Sequence, residues 1–424
     1  MNWSLLRLPA FRSLFFGRLL SWMGSGLGPV AVVFAALDLG AGATGLGIVV
    51  ACRAVPNLLV ILFGGALADR LPKRTVAVGA SAVSAASLAG GALLLAAHSG
   101  SLVLLAVVAA LGGVGSALFS PATSAVLREI VGDRLLLDAT VLGRVSMNIG
   151  LIVGTAVGGA LVAAFSPEIA LASGSLLFTF AIASFAGLPR QTLGAIRGRS
   201  LARDLVGGLA FVGRTHWLLA TLALSFVAQF AFAGGVQVLG PIAADHSFGR
   251  NLWGFAGAVQ LLGLVVGAVA AGRMRGKLRL SIASLGVLGM ALPLGILALV
   301  LRVAPYVVDP LHWFFWLSVA LFAASVGLEL FTVPLDLAIQ LQVPRSYLAR
   351  VYACLTVASL SGIPLGELVV GPLVGLIGAP AALGALSAVV VVAVAVVGLN
   401  PRVRRVDEEA IPRTKHRSSR PTNL

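Results

Sequence analysis

The sequence predicts an all-α integral membrane protein: twelve transmembrane helices in two pseudo-symmetric six-helix bundles. Three observations predict it. The first is composition. Of 424 residues, 59% are hydrophobic and 11% charged, with a mean hydropathy of +1.03, whereas an ordinary globular domain carries roughly 25% charged residues. A soluble fold has too little interior for that much apolar surface, so lipid must be the solvent for most of the chain. The second observation is the division of the apolar sequence into twelve runs, and the third is the one-sided placement of Lys and Arg between them.

The runs lie near 13–37, 42–68, 75–97, 101–127, 139–165, 168–188, 216–240, 251–271, 280–301, 311–338, 351–375 and 379–399. Each is long enough to cross a hydrocarbon core of roughly 30 Å. The first run follows Arg7 and Arg12 but lacks a small-residue cleavage site, so no cleavable leader is expected. With the N-terminus inside, 25 of the 30 Lys and Arg fall on the inner side, two (Arg250, Arg302) fall outside and three (Arg18, Arg53, Arg144) lie within spans. That bias places both termini in the cytoplasm of a multi-pass inner-membrane protein. The net charge of +15 is thus a topology signal, and no nucleic-acid partner is expected. Cys52 and Cys354 sit in apolar stretches without ligand spacing, and the five histidines are scattered, so neither a disulfide framework nor a metal site is expected.

The chain divides into an N-terminal bundle (1–188), a cytoplasmic linker (189–215), a C-terminal bundle (216–399) and a basic tail (400–424) expected to be disordered. In the linker, Leu201, Leu205, Leu209 and Val212 recur at near-helical spacing with Arg199, Arg203 and Asp204 on other faces. It reads as an amphipathic helix lying on the inner leaflet. A faint repeat relates the halves. Gly150, Gly154, Gly158 and Gly159 in the fifth span match Gly362, Gly366 and Gly371 in the eleventh, small residues spaced to let helix backbones approach in lipid. Gly65-Ala-Leu-Ala-Asp69-Arg70 likewise corresponds to Gly267-Ala-Val-Ala-Ala271-Gly272-Arg273.

The stretch Gly65-Ala-Leu-Ala-Asp69-Arg70-Leu-Pro-Lys73-Arg74 resembles the signature between the second and third spans of the major facilitator superfamily. Phe119-Ser120-Pro121-Ala122, Leu341-Gln342-Val343-Pro344 and the opening Phe11 to Ser21 fit its drug and siderophore exporter branch, which includes enterobactin exporters and macrolide efflux pumps. The chain departs from the family pattern at Pro72, where the signature has Gly, at Gly154-Thr155, where antiporters have Gly-Pro, and at Ser25, where many relatives are acidic. The resemblance implies alternating access about a cavity between spans 1, 4, 7 and 10. It also implies that spans 2 and 11 pack across the halves, and that Asp69 locks the halves by facing the positive N-terminal end of span 11. The alternative for Asp69 is a solvated acid at a helix end.

Ionisable side chains in a bilayer are expensive and default to the bundle interior or a water-filled cavity. The candidates for a proton or substrate pathway are Arg18, Arg53, Arg144, Asn148, Glu329, Asp336 and Glu367, with Gln229, Gln237 and Gln260 as neutral companions. Arg18 lies about 9 Å into its span at 1.5 Å per residue, and Arg144 is similarly placed. Either snorkels to the inner head groups or lines the inner half of a pathway. Glu329 and Asp336 are seven residues apart on one face of span 10. Glu329, about 16 Å deep, either pairs or takes up a proton. Arg53 and Glu367 lie at matching depths, about 24 and 25 Å from the inner ends of spans 2 and 11. They either meet across the halves or face a hydrated outer vestibule.

No nucleophile triad or phosphate-cradling loop is present, so no enzyme and no cofactor are expected. The expected protein is a monomeric secondary transporter whose partners are a small-molecule substrate, protons and the lipid bilayer. Proton-driven efflux of a lipophilic drug-like, antibiotic or siderophore-like solute is the leading reading. An importer of a small metabolite and a non-transporting membrane scaffold or sensor are the alternatives. Trp22, Phe119, Phe226, Phe230, Phe322 and Phe331 are the aromatic candidates for a cavity lining.

Overall fold

A computed structural model describes residues 3–63, 72–188, 201–274, 279–303 and 309–404. Its helices are α1 (Pro9–Asp38), α2 (Ala43–Phe63), α3 (Lys73–Ala96), α4 (Leu102–Ala164), α5 (Pro167–Ala186), α6 (Leu201–Arg214), α7 (His216–His246), α8 (Arg250–Arg273), α9 (Leu280–Val303), α10 (Pro310–Gln342), α11 (Arg345–Ile377) and α12 (Ala379–Leu399). Twelve stretches are long and apolar enough to cross a membrane, and α4 supplies two of them, Leu102–Phe119 and Asp138–Ala164. Side-chain caps start two of these helices. The Ser101 hydroxyl accepts from Leu104 N at 3.2 Å, and the Asp309 carboxylate accepts from Leu311 N at 2.9 Å. Gly40 and Gly249 adopt φ of +79° and +93°, the left-handed region open to glycine, and turn the chain next to Asp38 and Arg250.

The fourth and fifth spans differ from expectation. The sequence places a loop between them, yet helical hydrogen bonding continues from Leu102 to Ala164. Phe119 meets Trp22 edge-on at 5.6 Å, and Gly150 also lies against Trp22. A straight helix would separate two residues thirty-one positions apart by about 46 Å, so the helical path doubles back between them. The charged residues between Arg128 and Asp138 interrupt the apolar pattern without ending the helix. In the seventh span the helix continues six residues beyond the apolar run and passes through a π-helical stretch at Phe232–Leu239.

Equivalent helices pair in the two halves. Gly154 of the fifth span meets the Met23 backbone of α1, and Gly366 of α11 meets the Phe230 backbone of α7. In both places a Cβ would collide with a carbonyl oxygen, which is the close approach the repeated small residues permit. One buried cluster of the first half gathers Phe11, Leu14, Phe15, Phe119, Leu142 and Phe185. A second, larger cluster runs through both halves.

The linker helix departs from a purely interfacial role. Phe211 of α6 stacks on Tyr347 of α11 with centroids 4.6 Å apart. Gly208 sits against the Arg350 backbone, and Val212 is buried. Leu209 stays exposed. The apolar face is therefore shared between a protein partner and the surroundings, and α6 is docked on the start of α11.

Candidate functional site

On the face that charge bias assigns to the outside, a single arginine joins three helix ends. Arg250 opens α8. Its Nη1 and Nη2 donate to the two oxygens of Asp38, the last residue of α1, at 3.0 and 2.5 Å, and its Nε donates to Asp245 Oδ1 of α7 at 2.6 Å. The guanidinium also lies 5.1 Å over the Phe34 ring, a cation–π contact. The forked donors of arginine suit this bridge between the halves, because two carboxylates are engaged in fixed geometry.

Two backbone seams continue the closure on the same face. Gly47 of α2 lies against the Glu367 carbonyl of α11, and Gly371 lies against Thr44. Gly159 of the fifth span faces Gly254 of α8, where a Cβ would come within 2.7 Å of the opposite Cα. Between these seams, Glu367 is 1% exposed and neither carboxylate oxygen has a hydrogen-bond partner. Arg53 acts on it electrostatically, but among the described residues no ion pair joins them. Arg53 is half-buried and borders a cavity of about 30 Å³ with Ser84, Ser87 and Ser116 inside the first half, room for about one water.

The second half contains the polar cavity. About 350 Å³ in volume, it is bordered by Gln229, Phe232 and Gln237 of α7, Gln260 of α8, Glu329, Phe331 and Thr332 of α10, and Ser359 of α11. Three features of the chain build it. Gly267 of α8 lets α10 approach at the level of Glu329, and the π-helical stretch carries both Phe232 and Gln237. The hydroxyls of Ser225 and Thr332 are spent on carbonyls of their own helices. The amides of Gln229, Gln237 and Gln260 and the Glu329 carboxylate make no hydrogen bond to a described residue, so the cavity offers donors and acceptors to an occupant. Sites for small molecules have this character, apolar walls with a few convergent polar groups.

Arg144 and Asn148 lie one turn apart on the fifth span, exposed and half-buried respectively. The charge of Arg144 reaches Glu329, as does that of Asp336 along α10. These two attract and repel the Glu329 carboxylate. Asp336 is half-buried, and its carbonyl accepts from the Tyr352 hydroxyl at 3.4 Å. Arg18 neither snorkels nor joins this cavity: it is 8% exposed, lies against Gly143 and leaves Nε without a partner. Of the aromatic candidates only Phe331 borders the cavity. Trp22 and Phe119 pack on each other, and Phe226 stacks on Phe230 at 6.0 Å. Arg74 is half-buried in the first turn of α3, whereas Gly65, Asp69 and Arg70 lie outside the described residues.

The cavity's reliance on the π-helical stretch was not legible in the apolar pattern. The Arg250 bridge was also missed. Its parts were visible but their pairing was not: Arg250 is one of two cations assigned to the outer side, and Asp38 and Asp245 also lie at span ends there.

Comparison with known proteins agrees with this architecture. The chain is 28% identical over 222 residues to the multidrug efflux pump Tap of Mycobacterium tuberculosis, a match that covers 51% of this chain and about half (52%) of that pump. It is 26% identical over 390 residues to the enterobactin exporter EntS of Escherichia coli, covering 88% of this chain and 87% of the exporter. Among solved structures, the nucleoside transporter NupG superposes with a TM-score of 0.74 at 14% identity, over 92% of this chain and 98% of that one. An inward-facing bacterial homologue of the human lysosomal transporter Spinster gives 0.73 at 14% identity, over 97% and 99%. These structures share the fold. The sequence model of one family, described as transmembrane secretion effector, matches residues 1–422. The chain therefore belongs to the transmembrane secretion effector family of the major facilitator superfamily, a multi-pass inner-membrane protein with the family and fold of transporters.

Proposed function

We propose that the protein is a secondary transporter that exports a lipophilic drug-like, antibiotic or siderophore-like molecule in exchange for protons. The observation that carries this reading is the cavity around Glu329, with unengaged amides on apolar walls, beneath a face closed by the Arg250 bridge and the glycine seams. An amphipathic solute fits such walls better than a sugar does. The names of the relatives, a multidrug efflux pump and an enterobactin exporter, point the same way.

In this reading both termini and α6 lie in the cytoplasm, and the closed face is the outer one, so the state described is closed to the outside. Glu329 exchanges protons in the cavity of the second half. Arg53 and Glu367 attract one another while the outer face is closed and separate when it opens. Asp69, with Gly65, Arg70 and Arg74, holds the opposite, inner-closed state. Nothing in this cycle needs a second chain, and the transporter works as a monomer.

Everted vesicles test the proposal. With a fluorescent lipophilic cation as probe, a proton gradient should drive uptake into everted vesicles, and a protonophore should abolish it. Glu329→Gln should flatten the pH dependence more than it weakens probe binding. Uptake only into right-side-out vesicles would show an importer instead.

A further inference from the structure

A cavity of about 590 Å³ lies away from the surface where the halves meet, in the groove between α9 and α12. Its walls include Ile282 and Leu285 of α9 and Val391 and Leu399 of α12, and Arg279 and Arg404 stand at its mouth. Both arginines are exposed, and neither has a carboxylate partner among the described residues. The Nε of Arg404 donates to Gly398 O at 3.1 Å, which fixes the side chain over the groove and leaves its other four N–H donors free. Gly398 floors the groove without crowding: a Cβ there would be in ordinary van der Waals contact with Ser284 at 3.8 Å and Leu285 at 3.9 Å.

The walls are apolar and half or more exposed at Ile282, Leu285 and Leu399 (53, 50 and 69%). From Leu399 to Val391 the groove runs about 12 Å along α12, which lies within the roughly 15 Å depth of one leaflet. Charge at one end and hydrocarbon depth along the rest match a lipid. A soluble anion would leave the apolar walls unfilled. We propose that this groove is a binding site for an anionic phospholipid of the adjoining leaflet. The phosphate sits between Arg279 and Arg404, and one acyl chain lies along Leu285, Val391 and Leu399. The site rests on the twelve-span fold and is independent of what the protein transports.

The test is native mass spectrometry of the purified full chain titrated with phosphatidylglycerol or phosphatidylcholine of equal chain length. The wild type should prefer phosphatidylglycerol. With a surface attraction of about fivefold per arginine, the preference should be roughly 30-fold for the pair, and Arg279→Gln with Arg404→Gln should erase it. Gly398→Phe, which fills the floor, should weaken both lipids alike. Glycerol phosphate should not displace the bound lipid, and displacement would mean an anion site without an acyl groove. A phosphatidylglycerol carrying a photoreactive group in its acyl chain gives a reading that needs no variant. Labelling within 279–288 and 391–399 is expected, and labelling confined to other segments overturns the site. Equal binding of the two lipids by the wild type overturns it as well.

Discussion

Arg250 engages two carboxylates and an aromatic face at once, so its loss removes several cross-helix contacts in one step. Exposed pairs contribute up to about 1 kcal/mol each, and losing two shifts a closed-to-open ratio by up to roughly 30-fold. Arg250→Ala should therefore raise the labelling of a cysteine placed between the halves from the Asp38 side. Arg250→Lys should recover only part of the closure, because an ammonium cannot fork across Asp38 while holding Asp245. Labelling equal to wild type would show that the glycine seams suffice. Glu367 poses a different problem. A buried carboxylate without hydrogen bonds depends on its surroundings for compensation, and Arg53 is the cation acting on it. Arg53→Ala and Glu367→Ala should each impair transport, and the double variant Arg53→Glu, Glu367→Arg should recover part of it. Normal transport by both single variants would remove the pair from the gate. The depth of these residues was readable by counting along each span, because the rise of a helix is fixed. The Arg250 bridge was not, because charges at span ends look alike whether solvated or paired.

At the scale of helices, apolar run length located every span, since the bilayer imposes one length on all of them. It could not show that α4 stays helical between its two spans. Hydropathy registers the passage from lipid to water, and residues 128–138 include Arg, Glu and Leu, which favour helix in either medium. The π-helical stretch escaped for a related reason. Gly234 and Gly235 read as ordinary close-packing residues, whereas an added residue per turn depends on neighbours in space. Helix seams make sharper predictions. Gly154 contacts the Met23 backbone directly, and Gly154→Leu forces α1 and the fifth span apart at a cost of about 1–3 kcal/mol. Its melting temperature in detergent should fall, whereas Gly213→Ala, at a position with nothing nearby, should melt as the wild type does. Equal melting of the two variants would mean that the seam is slack.

For the molecule as a whole, the six-plus-six division was legible because both halves place small residues at matching positions of the fifth and eleventh spans. The cavity was only half legible. Glu329 and three glutamines could be picked out singly, yet that they converge within the second half follows from packing, such as Gly267 under Glu329. The inner lock is tested by Asp69→Asn, which should shift the protein toward its outward-closed state and slow transport with insertion retained. Unchanged labelling from both sides together with full transport would sink the lock. The docking of α6 on α11 has a mechanical corollary. Through the Phe211–Tyr347 stack and the Gly208 contact, α6 travels as cargo of the second half. A chain severed between the first bundle and α6 and produced as two polypeptides should therefore still assemble and transport, whereas a cut after Gly208 should strand the docked helix on the wrong fragment and fail.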